Sequence, residues 1–185
     1  ELEDTSIFVK FKVENKDNEY FIIWTTTPWT ITFNLGIMAN PNFDYVKAKV
    51  GNEVWIVAKD LADSVIKEKM GKDYVILEEL TGKELVGTKY LHPWEKEISD
   101  LAKIKKSHPN SFSVVSSEEF VTLDAGTGLV HMAPGCGPED YEVGMANKIL
   151  PFNTINQEGI FPENYGEISG WIAKKDDQKF IKKLT

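Results

Sequence analysis

Residues 24–30 have a composition that the end of an ordinary strand does not need. They read Trp-Thr-Thr-Thr-Pro-Trp-Thr and directly follow an apolar run. Proline lacks the N–H that a sheet ladder requires, so Pro28 should end the strand. The hydroxyls of Thr25, Thr26 and Thr27, and the backbone amides released there, are then free to bind a ligand. Each residue type is common in strands or cores, but the cluster favours the wall of a binding pocket.

A second segment, residues 126–141, combines a histidine, two adjacent acidic residues and four glycines. His131 lies on a short predicted strand, and Pro138 opens a predicted helix whose first turn holds Glu139 and Asp140. The helix dipole stabilises acidic residues there by about 0.3–1 kcal/mol, which accounts for both carboxylates on structural grounds. The dipole should also keep Asp140 ionised, as binding of a cationic amine requires. The glycines are turn formers that also permit close approach of a ligand to the backbone.

Cys136 and the histidines raise two further chemistries. A cysteine nucleophile needs an activated thiolate and usually a third orienting group, and a small buried cysteine is the commoner outcome. A zinc site needs three or four ligands at recognisable spacing. One cysteine and the scattered His92, His108 and His131 do not supply them. We therefore predict no metal site, and we expect His92 and His108 to be loop residues without a catalytic task.

The first half of the chain predicts strands that pair as hairpins. Apolar residues alternate with lysines in residues 7–13, and a polar turn at 15–18 separates them from an apolar run at 20–24. A second hairpin is predicted from residues 45–50 and 54–57, joined by a Gly-Asn turn. These spacings indicate half-buried strands that present one face to a core.

The remaining elements are mostly shorter strands and amphipathic helices. Further strands are predicted at residues 74–77, 112–115 and 128–132, and helices at residues 60–70, 95–106, 138–148 and 174–184. Asp60 is a possible cap of the first helix, and Gly137 is the expected N-cap of the third. Because strands outnumber helices, we predict an α+β fold with a mixed or barrel-like sheet and flanking helices, in one domain of residues 1–185.

The composition indicates which classes of partner and which cellular compartment to expect. The net charge is −8 and all 21 basic side chains are lysines. This argues against a general nucleic-acid binder, so any RNA would be held locally by lysines, backbone amides and aromatic faces. No apolar run approaches the ~20 residues that cross a bilayer, so no membrane partner is expected. The single cysteine suits a reducing compartment, and we expect the cytoplasm.

Together the two segments resemble the editing domain of class I aminoacyl-tRNA synthetases of the isoleucine, valine and leucine group. They are similar to that group's threonine-rich motif and to its motif ending in Asp-Tyr. Thr27 and Trp29 stand where the valine and leucine enzymes usually carry an arginine and an acidic residue, which is the isoleucine pattern. Asn34 and His131, the latter followed by Met-Ala-Pro, match the same pattern. Cys136 departs from it, since many bacterial members carry histidine there.

The resemblance, which covers nearly the whole chain, implies a fragment of a larger synthetase. The His-x-Gly-His and Lys-Met-Ser-Lys-Ser type motifs of the catalytic core are absent from this sequence. ATP and magnesium would be used by that core, so no cofactor is expected here. The implied partners are the rest of the synthetase chain and the 3′ acceptor end of the tRNA for isoleucine carrying valine, and we expect a monomer.

The implied reaction is hydrolysis of the ester that joins valine to the terminal ribose of that tRNA. Isoleucine and valine differ by one methylene, worth only about 1–3 kcal/mol in an apolar pocket, and the isoleucine enzyme is itself the standard example of this limit. A second, smaller pocket could exclude isoleucine sterically and hydrolyse what enters. Asp140 would hold the substrate ammonium by a charge-assisted hydrogen bond. His131, Trp29 and Thr30 would line the side-chain pocket.

The threonine-rich motif would place the reacting groups, and Asp140 and Thr26 are the residues expected to be catalytic. The terminal adenosine, the ester and the attacking water would be positioned by Thr25, Thr26 and Thr27, and Asn34 would support that wall. Orientation and modest electrostatic stabilisation could suffice without a metal. What activates the water stays open. The alternatives are a noncatalytic module that binds a tRNA end or an amino acid, and a cysteine hydrolase based on Cys136.

Overall fold

Two mixed sheets organise residues 6–185, the part of the chain that the computed structural model describes. The eight strands are β1 (Ile7–Lys12), β2 (Glu19–Thr25), β3 (Gly36–Ala39), β4 (Asp44–Val50), β5 (Glu53–Ala58), β6 (Val75–Thr81), β7 (Ser113–Ser116) and β8 (Leu129–Met132). One sheet has the order β1-β2-β5-β4-β6, and the other has the order β7-β3-β8. Parallel pairs, β2 with β5 and β3 with β7, make both sheets mixed.

Helices of varied type flank the sheets. The α-helices are α1 (Gly82–Leu85), α2 (Ser99–Ser107), α3 (Pro138–Ala146) and α4 (Asp177–Leu184), the 3₁₀ helices are Pro28–Phe33, Lys59–Leu61 and Gly166–Ile168, and Asp63–Lys69 is π-helical. None of these helices in residues 6–185 is long and apolar enough to cross a bilayer. The predicted α+β class with a mixed sheet is confirmed, although the described strands form open sheets rather than a closed barrel. Residues 1–5 of the predicted 1–185 domain lie outside the described residues.

Both predicted hairpins form. β1 and β2 are antiparallel, with Ile7 opposite Thr25. The alternating apolar residues of β1 face the core as the period-2 pattern requires, whereas β2 buries three consecutive residues, 21–23. β4 and β5 are antiparallel around a tight turn at Gly51, whose φ of 61° suits a residue without Cβ. The first hairpin matters for the site, because it delivers the threonine-rich segment to the end of a buried strand.

Sequence periodicity missed two elements next to the site. They are the 3₁₀ helix Pro28–Phe33 and strand β3, which are separated by two residues. All four residues of β3 are buried, so the alternation that marks a half-buried strand is absent there. The helix starts at Pro28, which fits the first helical position because its missing N–H is not needed. Both elements are positioned by the core rather than by local pattern.

Several predicted helices differ in type or start. The helix predicted at 60–70 is a 3₁₀ turn followed by a π-helical segment, and Asp60 caps neither. α2 begins at Ser99 instead of residue 95. α4 begins at Asp177 because Lys174 has a φ of 67°, which a right-handed helix does not allow. α3 begins as predicted, with Gly137 as an extended N-cap and Pro138 at the first position.

The two sheets join at Gly128, immediately before β8. The Ala58 N–H donates to the carbonyl of Thr127 at 2.8 Å, and the Tyr45 hydroxyl donates to the carbonyl of Gly128 at 2.7 Å. A Cβ on Gly128 would lie 2.4 Å from the Ala58 Cβ, and its φ is 80°. Only glycine fits this close approach. The junction brings β8, which carries His131, against the sheet whose β2 ends in the threonine-rich segment.

Candidate active site

A cavity of about 420 Å³ lies where these two segments meet. The residues predicted for the site that line it are Thr25, Thr26, Thr27, Trp29, Thr30, His131 and Asp140. Its remaining lining comes from Trp24, Phe120, Thr122, residues 125–130, Cys136 and Gly137. Asn34 is fully buried and lies behind the wall. Side chains far apart in sequence thus share one cavity, as the two segments predicted.

The three consecutive threonines differ in what their hydroxyls do. Thr25 is buried, and its Oγ1 accepts the Thr27 N–H at 3.1 Å, which closes a tight turn at the end of β2. The Thr27 Oγ1 lies 3.4 Å from the Oγ1 atoms of both Thr25 and Thr30. Thr26 is exposed and makes no hydrogen bond within residues 6–185. Its hydroxyl and N–H are therefore available to a molecule in the cavity.

A continuous hydrogen-bond chain holds His131. Its Nδ1 accepts from the Asn34 Nδ2 at 2.8 Å, and its Nε2 lies 3.0 Å from the Thr30 Oγ1. Thr30 donates its own hydroxyl hydrogen to the Thr27 carbonyl at 2.7 Å, so Nε2–H must be the donor to Thr30. The Tyr90 hydroxyl donates to the Asn34 Oδ1 at the other end. Both ring nitrogens of His131 are therefore occupied.

Burial keeps His131 uncharged. Loss of solvent, with the nearby His92 adding a smaller effect, lowers the pKa of His131 from 6.5 to about 3. A neutral ring with both nitrogens engaged is poorly suited to take or give a proton. It can instead present a rigid surface to the cavity. The arrangement makes His131 a fixed, uncharged part of the cavity wall.

Asp140 lies in the first turn of α3 and offers a different environment. Its Oδ2 accepts the Ala133 N–H at 2.9 Å, whereas Oδ1 has no hydrogen bond among the described residues. Burial raises the pKa of Asp140 above its ordinary value, the Glu139 charge raises it further, and the Ala133 N–H lowers it. The expectation that the helix dipole governs this charge therefore overlooked burial, which acts in the opposite direction.

Cys136 lines the cavity, but its surroundings do not activate it. Burial, followed by the charge of Asp140, raises the pKa of the thiol to about 12, so the thiolate is disfavoured. The Sγ atom lies 3.9 Å from the Asn153 Nδ2, and His131 has no nitrogen left to act as its base. Within residues 6–185, no three His, Cys, Asp or Glu side chains are grouped so as to hold a metal ion.

Sequence reasoning missed the support behind the cavity. His92, expected to be a loop residue without a catalytic task, is buried, with Nε2 2.8 Å from the Ile31 carbonyl and Nδ1 accepting the Trp94 N–H at 3.0 Å. Burial lowers its pKa to about 4. It thus anchors the 3₁₀ helix that carries Thr30. Tyr90 was also missed, because a tyrosine in an isolated β-bridge, here with Val13, gives no sequence signal of a buried hydrogen bond.

Comparison with known proteins gives many relatives. No protein-family model matches the chain. The isoleucine–tRNA ligase of Pyrococcus abyssi is 43% identical over 185 residues, covering 98% of this chain and 17% of the relative. That of Sulfolobus acidocaldarius is 39% identical over 184 residues, covering 100% and 17%. That of Aquifex aeolicus is 46% identical over 171 residues, covering 88% and 18%. The chain thus spans less than a fifth of the relatives it matches.

Solved structures share the fold at low sequence identity. A crystal structure of GlLeuRS-CP1 has a TM-score of 0.58 at 18% identity, covering 84% of this chain and 69% of that one. The editing domain of the P. knowlesi cytosolic leucyl-tRNA synthetase has a TM-score of 0.54 at 13% identity, covering 74% and 60%. The resemblance indicated by the threonine-rich and Asp-Tyr motifs is confirmed. The chain belongs to the isoleucine–tRNA ligase family, as a segment with the fold of the synthetase editing domains.

Proposed function

We propose that this domain hydrolyses the ester that joins valine to the terminal ribose of the tRNA for isoleucine. The observation that carries the proposal is the cavity itself. One wall is an uncharged, fully hydrogen-bonded surface around His131 and Thr30, and another offers the Asp140 carboxylate with one oxygen uncommitted. An aminoacyl ester needs both features, since it carries a cationic amine and a side chain that differs between amino acids.

In this proposal Asp140 binds the substrate's α-ammonium. Its Oδ2 is fixed by the Ala133 N–H, which orients the carboxylate and leaves Oδ1 for the ligand. Ionisation is required, because only the carboxylate gives a charge-assisted hydrogen bond to an ammonium. Because burial raises the pKa of Asp140, this ionisation is lost at a higher pH than for an ordinary aspartate. The residue therefore acts by holding the substrate in place rather than by attacking it.

The side-chain pocket is the proposed origin of selectivity. Trp29, Thr30 and His131 line the same cavity, and the hydrogen bonds of Thr30 and His131 to the protein leave them little freedom to move aside. A close-packed wall resists even one extra methylene. Valine would therefore fit where isoleucine would not. The size limit supplies the discrimination that an apolar first site cannot provide alone.

The threonine-rich segment is the proposed place of the ester and the attacking water. Thr26 is the natural contact, because its hydroxyl and N–H are unengaged within the described chain. Thr25 and Thr27 hold the turn that presents it. Ester hydrolysis can proceed through orientation and modest stabilisation of the developing charge. The proposal includes no metal or cofactor in this domain, with ATP and magnesium used elsewhere in the parent enzyme.

The proposal extends to the partners of the domain. The acceptor end of the tRNA would enter the cavity, and the rest of the synthetase chain would deliver it. With a net charge of −8 and no arginine, the domain can neutralise few phosphates itself. Contact with the tRNA should therefore be confined to the terminal nucleotides. We propose a monomeric domain that works in the cytoplasm.

The alternative is a noncatalytic module that captures a tRNA end or an amino acid, since the same cavity could serve it. A cysteine hydrolase fits less well, because the Cys136 thiol has a raised pKa and no base beside it. Release of free valine from valyl-tRNA separates the binding module from the hydrolase. A binder retains the ester intact.

The test uses a full-length synthetase that contains this domain. Wild type should release valine from valyl-tRNA, and Asp140→Ala should slow the release about 10- to 150-fold, because hydrogen bonds to charged groups are worth roughly 1.5–3 kcal/mol. Activation of isoleucine should be unchanged. Glu139→Ala is the matched control, since it removes the neighbouring exposed carboxylate. Normal deacylation by Asp140→Ala would remove this residue from the site, and no release by wild type would refute the function.

A further inference from the structure

Tyr90 begins the hydrogen-bond chain that ends at the cavity. The residue is fully buried, and its ring packs edge-on against Phe11 with centroids 5.2 Å apart and against Phe21 at 6.5 Å. Its hydroxyl donates to the Asn34 Oδ1. The ring cannot shift in such a packed environment, so the hydroxyl has one position. Tyr90 does not line the cavity, and its hydroxyl is linked to the cavity wall through Asn34 and His131.

The Asn34 amide has one satisfactory orientation because of two fixed partners. The Gly36 carbonyl can only accept, and the Asn34 Nδ2 donates to it at 2.9 Å. The Tyr90 hydroxyl donates to the Oδ1 on the other side. With Nδ2 so directed, its second hydrogen points to the His131 Nδ1. Asn34 thus presents a donor to the histidine, and the histidine must accept at Nδ1.

We propose that Tyr90 is a positioning residue that sets the size limit of the cavity. Through Asn34 it selects the His131 tautomer protonated on Nε2, and through that tautomer it fixes the direction of the Thr30 hydroxyl. Four side chains are then held in a single arrangement. The proposal rests on the proposed function, and it names what holds the selective wall in place.

The consequence of losing the hydroxyl follows from donor and acceptor rules. In Tyr90→Phe the buried Asn34 Oδ1 has no donor, so only the Gly36 carbonyl still holds the amide, and the cost of rotating it falls. An oxygen facing Nδ1 favours the other tautomer, with the proton on Nδ1 and an accepting Nε2. Thr30 would then have to donate to His131 and release the Thr27 carbonyl. The hydrogen-bonded wall then has two arrangements, so the cavity no longer imposes a single size limit on the bound side chain.

The experiment measures deacylation of valyl-tRNA and isoleucyl-tRNA, with kcat and KM separately, in the full-length synthetase. Tyr90→Phe is compared with Tyr165→Phe. Tyr165 is equally buried, and its hydroxyl also makes internal bonds, to the Thr154 Oγ1 at 2.5 Å and the Asp100 Oδ2 at 3.1 Å, but it lies off the cavity. A loss of folded protein lowers the deacylation rates of both substrates by the same factor. The ratio between the substrates therefore reports only the wall.

Tyr90→Phe should lower the valyl-over-isoleucyl ratio of kcat/KM about tenfold, within the roughly 10- to 200-fold that one methylene can carry. The change should come from faster cleavage of isoleucyl-tRNA. Tyr165→Phe should leave the ratio within about twofold of wild type. In a double variant with Asn34→Ala, the Tyr90 substitution should add little, because coupled residues are not additive.

Asn34→Asp provides a second variant if Tyr90→Phe does not fold. The carboxylate still accepts from Tyr90 but cannot donate to His131, so the ratio should fall in the same way. An unchanged ratio in folded Tyr90→Phe or in Asn34→Asp would overturn the positioning role alone, and so would an equal fall in Tyr165→Phe. If the wild type releases no valine, the proposed function and this inference both fail.

Discussion

The two walls of the cavity differ in how their polar atoms are satisfied. On the histidine wall, His131, Asn34 and Thr30 direct their hydrogen bonds to one another and to neighbouring groups of the protein. On the acidic wall, Asp140 commits one oxygen to a backbone amide and leaves the other without a partner in residues 6–185. A saturated wall can define a shape, whereas an unsaturated one can bind a charged group.

The electrostatics of the two walls follow from the same burial. Desolvation penalises whichever form is charged, so it lowers the pKa of His131 to about 3 and raises that of Asp140. The histidine stays uncharged, and the aspartate takes up a proton at a higher pH than usual. Substitutions on the histidine wall should therefore change selectivity, and substitutions on the acidic wall should change the pH dependence of the reaction.

Opening the histidine wall should have the largest effect on selectivity. His131→Ala removes the ring that is proposed to limit the depth of the cavity, so isoleucine should enter. Hydrolysis of isoleucyl-tRNA should become about 10- to 200-fold faster, which is the discrimination that one methylene can give. Asp140 still holds the ammonium, so valyl-tRNA should be cleaved too. The assay is deacylation of both tRNAs by the full-length enzyme. If the variant still rejects isoleucyl-tRNA, His131 is not the steric limit.

Filling the same wall should block the correct substrate. Thr30→Leu inserts bulk into a packed space, which typically costs about 1–3 kcal/mol, and valyl-tRNA cleavage should fall about 5- to 150-fold. Thr30→Val is the matched control, because it keeps the size and removes only the hydroxyl. We expect Thr30→Val to cleave valyl-tRNA faster than Thr30→Leu does. Equal rates in the two variants would mean that the hydroxyl matters and the volume does not.

The contribution of Asp140 should appear in the pH dependence of valyl-tRNA cleavage. Because the raised pKa belongs to a carboxyl group, Asp140 is ionised above that pKa, and valyl-tRNA cleavage should fall as the pH drops through it. The fall should come at a higher pH than an ordinary aspartate would give. Glu139→Gln removes a charge that raises this pKa, so the acidic limb should move to lower pH. If Glu139→Gln does not shift the fall in activity at low pH, that fall is due to the titration of a group other than Asp140.

Cys136 should give the smallest effect, although it lies between the two walls. Its raised pKa and lack of a base argue against a nucleophile. Cys136→Ser should therefore keep deacylation within about twofold, because a serine hydroxyl can still accept from the Asn153 Nδ2. Alkylation is expected to slow the reaction more, since it crowds the loop. Complete loss of activity in Cys136→Ser, in a folded protein, would restore the cysteine hydrolase hypothesis.

Local sequence patterns predicted the elements that carry the site. Alternation of apolar residues located β1, an apolar run after a polar turn located β2, and a glycine followed by proline located the start of α3, because these signals depend only on neighbouring residues. The helical spacing at residues 60–70 gave a helix of the wrong type, and β3 was missed. β3 gave no alternation because all four of its residues are buried.

The sequence by itself determined which side chains were available to the cavity and which family motif they form. Only the tertiary structure decided how they are connected. His131 and Thr30 are 101 residues apart, and Tyr90 reaches Asn34 across 56 residues. Hydrogen bonds over such separations depend on how the two sheets pack, which no periodicity encodes. The raised pKa of Asp140 likewise depends on the fold, because desolvation arises from everything packed around the carboxyl group and not only from the helix to which the residue belongs.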